Sequence, residues 1–223
     1  MQEIRRVCIV GAGAIGSLFA GHLGGRVETT VLTRRESHAR ELNCHGLRVS
    51  GKADLHVNVL ASSDPGDLGE VDLVILATKA TAVEGSAAVL QGHFPGAAVL
   101  LVQNGLGCEE VLHRYGEWPL ISGVTFMSGV KHSDTHVEYE LDTATWIGPW
   151  AGHGPDFAFA RDVAALINSS GLKAEAYEDL LPHQWSKLIF NFYCIYDKYG
   201  AQCCIARPAS GDDGWRRRGR ARH

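Results

Sequence analysis

The chain has 223 residues, 45% of them hydrophobic and 21% charged, the balance of an ordinary water-soluble globular protein. That length suffices for one large domain, or for one domain and part of another. Net charge is −4, yet the stretch from Ile205 onward carries six arginines against two aspartates, which leaves the body near −8 and argues against nucleic acid as a partner.

No apolar run reaches the roughly 18 residues needed to cross a bilayer, so no membrane partner is expected. The opening MQEIRRVCIVGAG lacks the apolar core and cleavage site of a signal peptide, and a cytoplasmic setting is expected. The six cysteines are Cys8, Cys44, Cys108, Cys194, Cys203 and Cys204. They form no CxxC pair, and their spacing fits neither a disulfide framework nor a zinc site. His132 and His136 have no third ligand near them in sequence, so no metal is expected.

In chain order, residues 7–10 (VCIV) read as a short apolar strand, followed at once by the turn GAGAIG and a helix through SLFAGHLGG. A second strand, VETTVLT, ends at Arg34 and Arg35, and a polar helical passage follows. The stretch LRVSGKADLHVNVLAS reads as a two-stranded hairpin around Ser50, Gly51 and Lys52. VDLVILATK and AAVLLVQNG are continuous apolar runs of the kind buried in parallel sheets. Between them TAVEGSAAVLQGHF has helical spacing and a stop at Pro95-Gly96. Residues 120–150 read as a run of β-structure with turns, 156–168 as a helix, and another helix begins at Leu181-Pro182 and runs through HQWSKLIFNF. Strands alternating with helices predict an α/β fold, a Rossmann-type doubly wound parallel sheet.

Gly11, Gly13 and Gly16 form a GxGxxG loop placed after a strand and opening a helix. The first glycine permits the turn, the second admits a pyrophosphate, and the third lets helix and strand pack closely. At the end of the second strand an NAD site carries an acidic residue for the ribose hydroxyls. This chain has Thr33, Arg34 and Arg35 there, and a guanidinium suits a 2′-phosphate, so NADP is the expected cofactor. In open α/β sheets ligands lie beyond the carboxyl ends of the strands. Lys79 and Asn104 follow two such ends, which places Lys79 to meet the cofactor and Asn104 to meet its ribose or a substrate. Lys187 and Asn191 stand four apart on one helix face, a spacing that by itself describes an ordinary amphipathic helix.

Taken together, GAGAIGSLFAGHL, the basic strand end at Arg34, ATKA around Lys79, QNGLG around Asn104 and QWSKLIFN resemble the ketopantoate reductase (2-dehydropantoate 2-reductase) family over about residues 5–191. The resemblance implies NADPH-dependent reduction of the 2-keto acid ketopantoate to pantoate, a step of pantothenate and coenzyme A biosynthesis. It implies that Lys187 is the proton donor, that Asn191 contacts substrate and that Asn104 lies between nicotinamide and substrate. Gly11, Ala12, Gly13, Ala14, Ile15, Gly16, Arg34 and Lys79 would bind NADPH, with Ser128 a further cofactor contact.

Family members continue into an all-helical substrate domain, whereas here the pattern stops at Asn191, and Ile195 stands where members carry another asparagine. The expected organisation is an NADP-binding domain over 1–178, the first helix of the helical C-terminal domain over 179–192, and an aberrant or disordered basic tail over 193–223. A cofactor-binding fragment or pseudoenzyme, and a paralogue reducing another small 2-keto acid, are the alternative readings. The apolar face of LIFNF is expected to favour a homodimer.

Overall fold

The protein is described here by a computed structural model covering residues 4–199, with side chains through Tyr193. The elements run β1 (Arg6–Val10), α1 (Ala14–Leu23), β2 (Glu28–Leu32), α2 (Glu36–His45), β3 (Leu47–Gly51), β4 (Leu55–Val57), β5 (Leu60–Ser62), β6 (Leu73–Leu76) and α3 (Val83–Leu90). They continue with β7 (Ala98–Leu101), α4 (Cys108–His113), β8 (Leu120–Thr125), β9 (Ser128–Ser133), β10 (His136–Leu141), β11 (Thr145–Pro149), α5 (Phe157–Ser169), β12 (Ala174–Ala176) and α6 (Leu181–Tyr199). Single 3-10 turns occupy Pro65–Leu68 and Ala80–Ala82.

The main sheet has eight strands in the order β12-β11-β8-β7-β6-β1-β2-β5. Strands β5, β2, β1, β6, β7 and β8 are mutually parallel, and β11 runs antiparallel to β8. The chain leaves β1 first toward β2 and later returns to β6 on its other side, so the direction of winding reverses at β1. That reversal opens a crevice beyond the carboxyl ends of the strands.

Both faces of the central strands are covered, which is why they read as unbroken apolar runs. Successive residues enter different cores. Val7, Ile9, Leu73, Ile75 and Leu100 join one cluster with α1 and α5, while Cys8, Val10, Val74, Leu76 and Leu101 join another with α3 and α4. Each fully buried aliphatic side chain contributes about 1.5–3 kcal/mol, so these strands supply much of the stability.

The second sheet, of four strands in the order β4-β3-β10-β9, was not legible as a unit in the sequence. Hairpin β3–β4 forms at the expected glycine turn, but β3 also pairs in parallel with β10. The β-rich stretch after residue 120 therefore divides, β8 and β11 joining the main sheet while β9 and β10 cross to the small one. The small sheet packs on α1: Leu47, Val49, Val137 and Tyr139 share a core with Leu18, Phe19 and Leu23. Helix α1 is thus buried between two sheets. A Cβ at Gly21 would come within 2.4 Å of Val49, so the close approach needs glycine.

Helix α6 begins where Asp179 accepts a hydrogen bond from the Leu181 amide at 3.0 Å, with Pro182 in its first turn. It was expected to end at residue 192, but it continues to Tyr199. Once nucleated, a helix gains a backbone bond for each added residue, which carries it through a segment without clear amphipathic spacing. The compact unit that holds both sheets extends through Leu188, and a second unit begins at Ile189 within the same helix. The rest of the expected basic tail, from residue 200 onward, lies outside the described residues. Among the described residues no helix is long and apolar enough to cross a membrane.

Candidate functional site

The glycine loop joins the end of β1 to α1, and each of its glycines answers a different steric demand. Gly11 has φ +97°, and a Cβ there would lie 2.7 Å from the Thr78 side chain. A Cβ on Gly16 would fall 1.9 Å from the carbonyl oxygen of Gly11, which no side chain can occupy. Around Gly13 nothing lies within 4 Å of a would-be Cβ. The loop is therefore packed shut at its two outer glycines and open at the middle one. Gly13 is the N-cap of α1 and provides no side-chain cap for the first amides of the helix. Helix amides and the positive end of the helix dipole together suit an anion.

Beside the loop is a cavity of about 370 Å³ walled by Gly11, Thr33, Arg34, Thr78 and Ser86, among others. Of the two arginines at the end of β2, Arg34 lines this cavity and is exposed. Arg35 is diverted, donating to both carboxylate oxygens of Asp134 at 2.9 and 2.7 Å. The buried hydroxyl of Thr78 in the cavity wall has no hydrogen-bond partner, and neither does the side-chain carbonyl of Gln103 nearby in the fold. Buried polar atoms are ordinarily satisfied, so these two orphans at adjacent strand ends fit a polar ligand in the crevice.

Lys79 follows β6 at the start of the 3-10 turn and is exposed. Asn104 follows β7 and is exposed as well. Its neighbour Gln103 was missed by sequence reasoning: Nε2 donates to the carbonyls of Leu76 at 2.7 Å and Thr78 at 3.2 Å. Gln103 thereby ties the end of β7 to the end of β6 and fixes where Asn104 begins. Ser128 is the first residue of β9, with its hydroxyl 3.5 Å from a Glu140 carboxylate oxygen.

Lys187 reaches the same sheet edge from α6. Its Nζ donates to the Thr125 carbonyl, the last residue of β8, at 2.6 Å and lies 3.8 Å from the centroid of the Phe126 ring. The residue is only 9% exposed. Burial lowers its pKa from the ordinary lysine value of 10.5. The start of α6 is anchored by buried Glu109, which accepts from Ser122 at 2.5 Å and from Gln184 at 3.1 Å. Glu109 carried no signal in sequence, and Gln184 stood in the QWSKLIFN motif without a role of its own, because their meeting depends on α4, β8 and α6 converging. Asn191 is a residue of α6 and falls in the second unit.

Sequence reasoning also missed Lys131 of β9, whose Nζ donates to the Ala12 carbonyl in the glycine loop at 3.1 Å. Elsewhere, the His132 and His136 rings stand 5.0 Å apart, one bonded to Glu138 and the other to Ser50. No group of three or more His, Cys, Asp or Glu among the described residues is placed to hold a metal. Cys8 and Cys108 are buried, and burial pushes the Cys8 thiol up to about 12, which leaves it unreactive.

A parallel sheet wound in this order, with a glycine turn leading from its first strand into a helix, defines the Rossmann-type dinucleotide-binding class. Within that class the chain belongs to the ketopantoate reductase PanE/ApbA family, whose pattern matches residues 7–152. It is 32% identical over 187 residues to a 2-dehydropantoate 2-reductase of Pyrococcus horikoshii, covering 83% of this chain and 60% of that protein. Against the 2-dehydropantoate 2-reductase of Archaeoglobus fulgidus, identity is 30% over 190 residues, or 85% of this chain and 62% of the relative.

Among solved structures, a 2-dehydropantoate 2-reductase from Geobacter metallireducens GS-15 superposes with a TM-score of 0.75 at 28% identity, over 83% of this chain and 62% of the other. D-mandelate dehydrogenase, solved with NADH, shares the fold at a TM-score of 0.72 and 23% identity, over 83% of this chain and 60% of its own. The chain thus spans about 60% of the length of the first of these relatives.

Proposed function

We propose that the chain binds NADPH in the crevice at the strand ends and serves reduction of the 2-keto group of ketopantoate to pantoate. The observation that carries this reading is the buried Lys187 ammonium, brought by α6 to the end of β8. The same edge of the sheet carries the glycine loop and Asn104.

The amides at the start of α1 take the pyrophosphate, and Arg34 at the cavity wall takes the 2′-phosphate that a carboxylate in its place would repel. Lys79 and Ser128 add contacts at the crevice rim, and Asn104 sits where nicotinamide and substrate meet. NADPH, when bound, supplies the hydride for the keto carbon. Lys187 holds the substrate carboxylate and keto oxygen by charge and gives its proton to that oxygen as the carbon is reduced. The neutral amine left behind recovers a proton from solvent. Asn191 orients the substrate. In domain terms, residues 1–178 bind the nucleotide and 179–192 open the substrate domain.

The cytoplasm suits these roles, with its free thiols kept reduced. Exposed Leu181 and Trp185 on α6 supply an apolar surface for a homodimer.

Lys187→Ala is the direct test. Turnover should fall by about 10²–10⁴-fold while NADPH affinity stays unchanged. The pH profile carries the same information. A donor must be protonated, so activity declines as pH rises through the Lys187 pKa, and that limb should lie below the ordinary lysine value of 10.5. The stability effect has the opposite sense to a salt bridge. A lysine with a lowered folded pKa costs stability at low pH, and the cost disappears as pH rises toward its unfolded value. Full turnover in the alanine variant would rule out the proposed donor.

A further inference from the structure

We infer that Lys131 is a positioning residue for the cofactor, acting through the glycine loop and not by touching the ligand's reacting atoms. The inference rests on the reading of that loop as the pyrophosphate site.

Within the loop, the peptide between Ala12 and Gly13 is the one whose orientation matters most. Gly13 is the N-cap of α1 and adopts φ −77° and ψ −172°. A peptide unit is planar and trans, so the Ala12 carbonyl and the Gly13 N–H point in opposite directions. Glycine crosses into positive φ without a steric penalty, which leaves this peptide able to flip. One orientation turns an N–H toward the anion side of the loop, and the flipped one turns a carbonyl oxygen there. The first attracts a phosphate and the second repels it. On the Cβ side of Gly13 no heavy atom lies within 4 Å, so no side chain packed there chooses between them.

The choice is made from behind. Lys131 Nζ donates to the Ala12 carbonyl oxygen at 3.1 Å from the small sheet. This holds the carbonyl toward the protein and directs the Gly13 N–H the other way. Lys131 is itself fixed by the Asp134 carboxylate at 2.9 Å, and Asp134 is clamped by both contacts of Arg35. Buried His38 completes the strut, with Nε2 donating to the Asp134 carbonyl oxygen at 2.8 Å. A carbonyl oxygen only accepts, so Nε2 carries the proton. Burial and the nearby Lys131 charge lower the His38 pKa, which keeps the ring neutral beside the ammonium. The strut joins β9, the β9–β10 turn and the start of α2 to the loop, and it accounts for Arg35 being unavailable to a ligand while its neighbour Arg34 faces the cavity.

The test compares two ligands on three proteins. Wild type, Lys131→Met and Lys131→Arg are each titrated with NADPH and with adenosine 2′-monophosphate, which has the 2′-phosphate but no pyrophosphate. Loss of one hydrogen bond that orients a group toward a charged ligand should weaken NADPH about tenfold in the methionine variant. Adenosine 2′-monophosphate should bind that variant as it binds wild type, and arginine should recover most of the lost NADPH affinity. Equal losses for both ligands would mark general damage and overturn the role. Unchanged NADPH affinity in Lys131→Met would overturn it too. A wild-type chain that fails to bind NADPH would instead overturn the pyrophosphate reading itself, and this role with it.

Discussion

The two ends of the crevice are held in place by different physics. At the glycine loop, position is set by exclusion: a Cβ on Gly16 would sit 1.9 Å from the Gly11 carbonyl oxygen, and one on Gly11 would strike Thr78 at 2.7 Å. At the α6 end, position is set by attraction between groups far apart in sequence, Lys187 with Thr125 and Gln184 with Glu109. Exclusion between backbones tolerates almost no variation. A hydrogen-bonded lysine tolerates movement, which suits the proton-donor role proposed for Lys187.

The sharpest way to break this contrast is within the loop itself. Gly16→Ala adds a methyl group where only backbone fits. A helix interior would ordinarily gain about 1 kcal/mol from that change, so the sign is decided by the clash. Overpacking should win by about 3 kcal/mol, seen as a fall of roughly 10 °C in Tm, with NADPH binding lost. Gly13→Ala meets nothing within 4 Å and should leave Tm nearly unchanged, while its methyl group intrudes on the anion side and weakens NADPH. Equal thermal effects of the two alanines would contradict the division of labour within the motif.

A smaller effect separates the two arginines. Arg34→Met should weaken NADPH about tenfold and leave NADH binding unaltered, because only the former has the 2′-phosphate. Direct titration with both nucleotides checks this. A matched loss for NADH would mean that Arg34 supports the fold and not the phosphate.

What the sequence made legible follows the same division. The loop, its strand and its helix are contiguous, so residues 7–23 carry the whole signal in the glycine spacing and apolar pattern. Central strands β6 and β7 were plain for a similar reason, being buried on both faces and thus apolar throughout. Arg34 was readable from the strand it follows. By contrast, the small sheet depends on β3 pairing in parallel with β10, which no local pattern announces. Lys131, Asp134, Gln103, Glu109 and Gln184 acquire their roles only when distant elements meet. Lys187 was an ordinary helix lysine by spacing, and the family resemblance singled it out. In the structure it is buried against Thr125 and Phe126, contacts that no local pattern announces.

On the proposed reading, this chain carries both a nucleotide site and a substrate side at Lys187. Titrating the protein with NADPH, with and without saturating ketopantoate, tests it most directly, with cofactor fluorescence as the readout. Tighter NADPH binding in the presence of ketopantoate is the result expected if the two sites adjoin in the crevice. NADPH binding that ignores ketopantoate at every concentration would contradict the claim and leave the chain as a nucleotide-binding fragment.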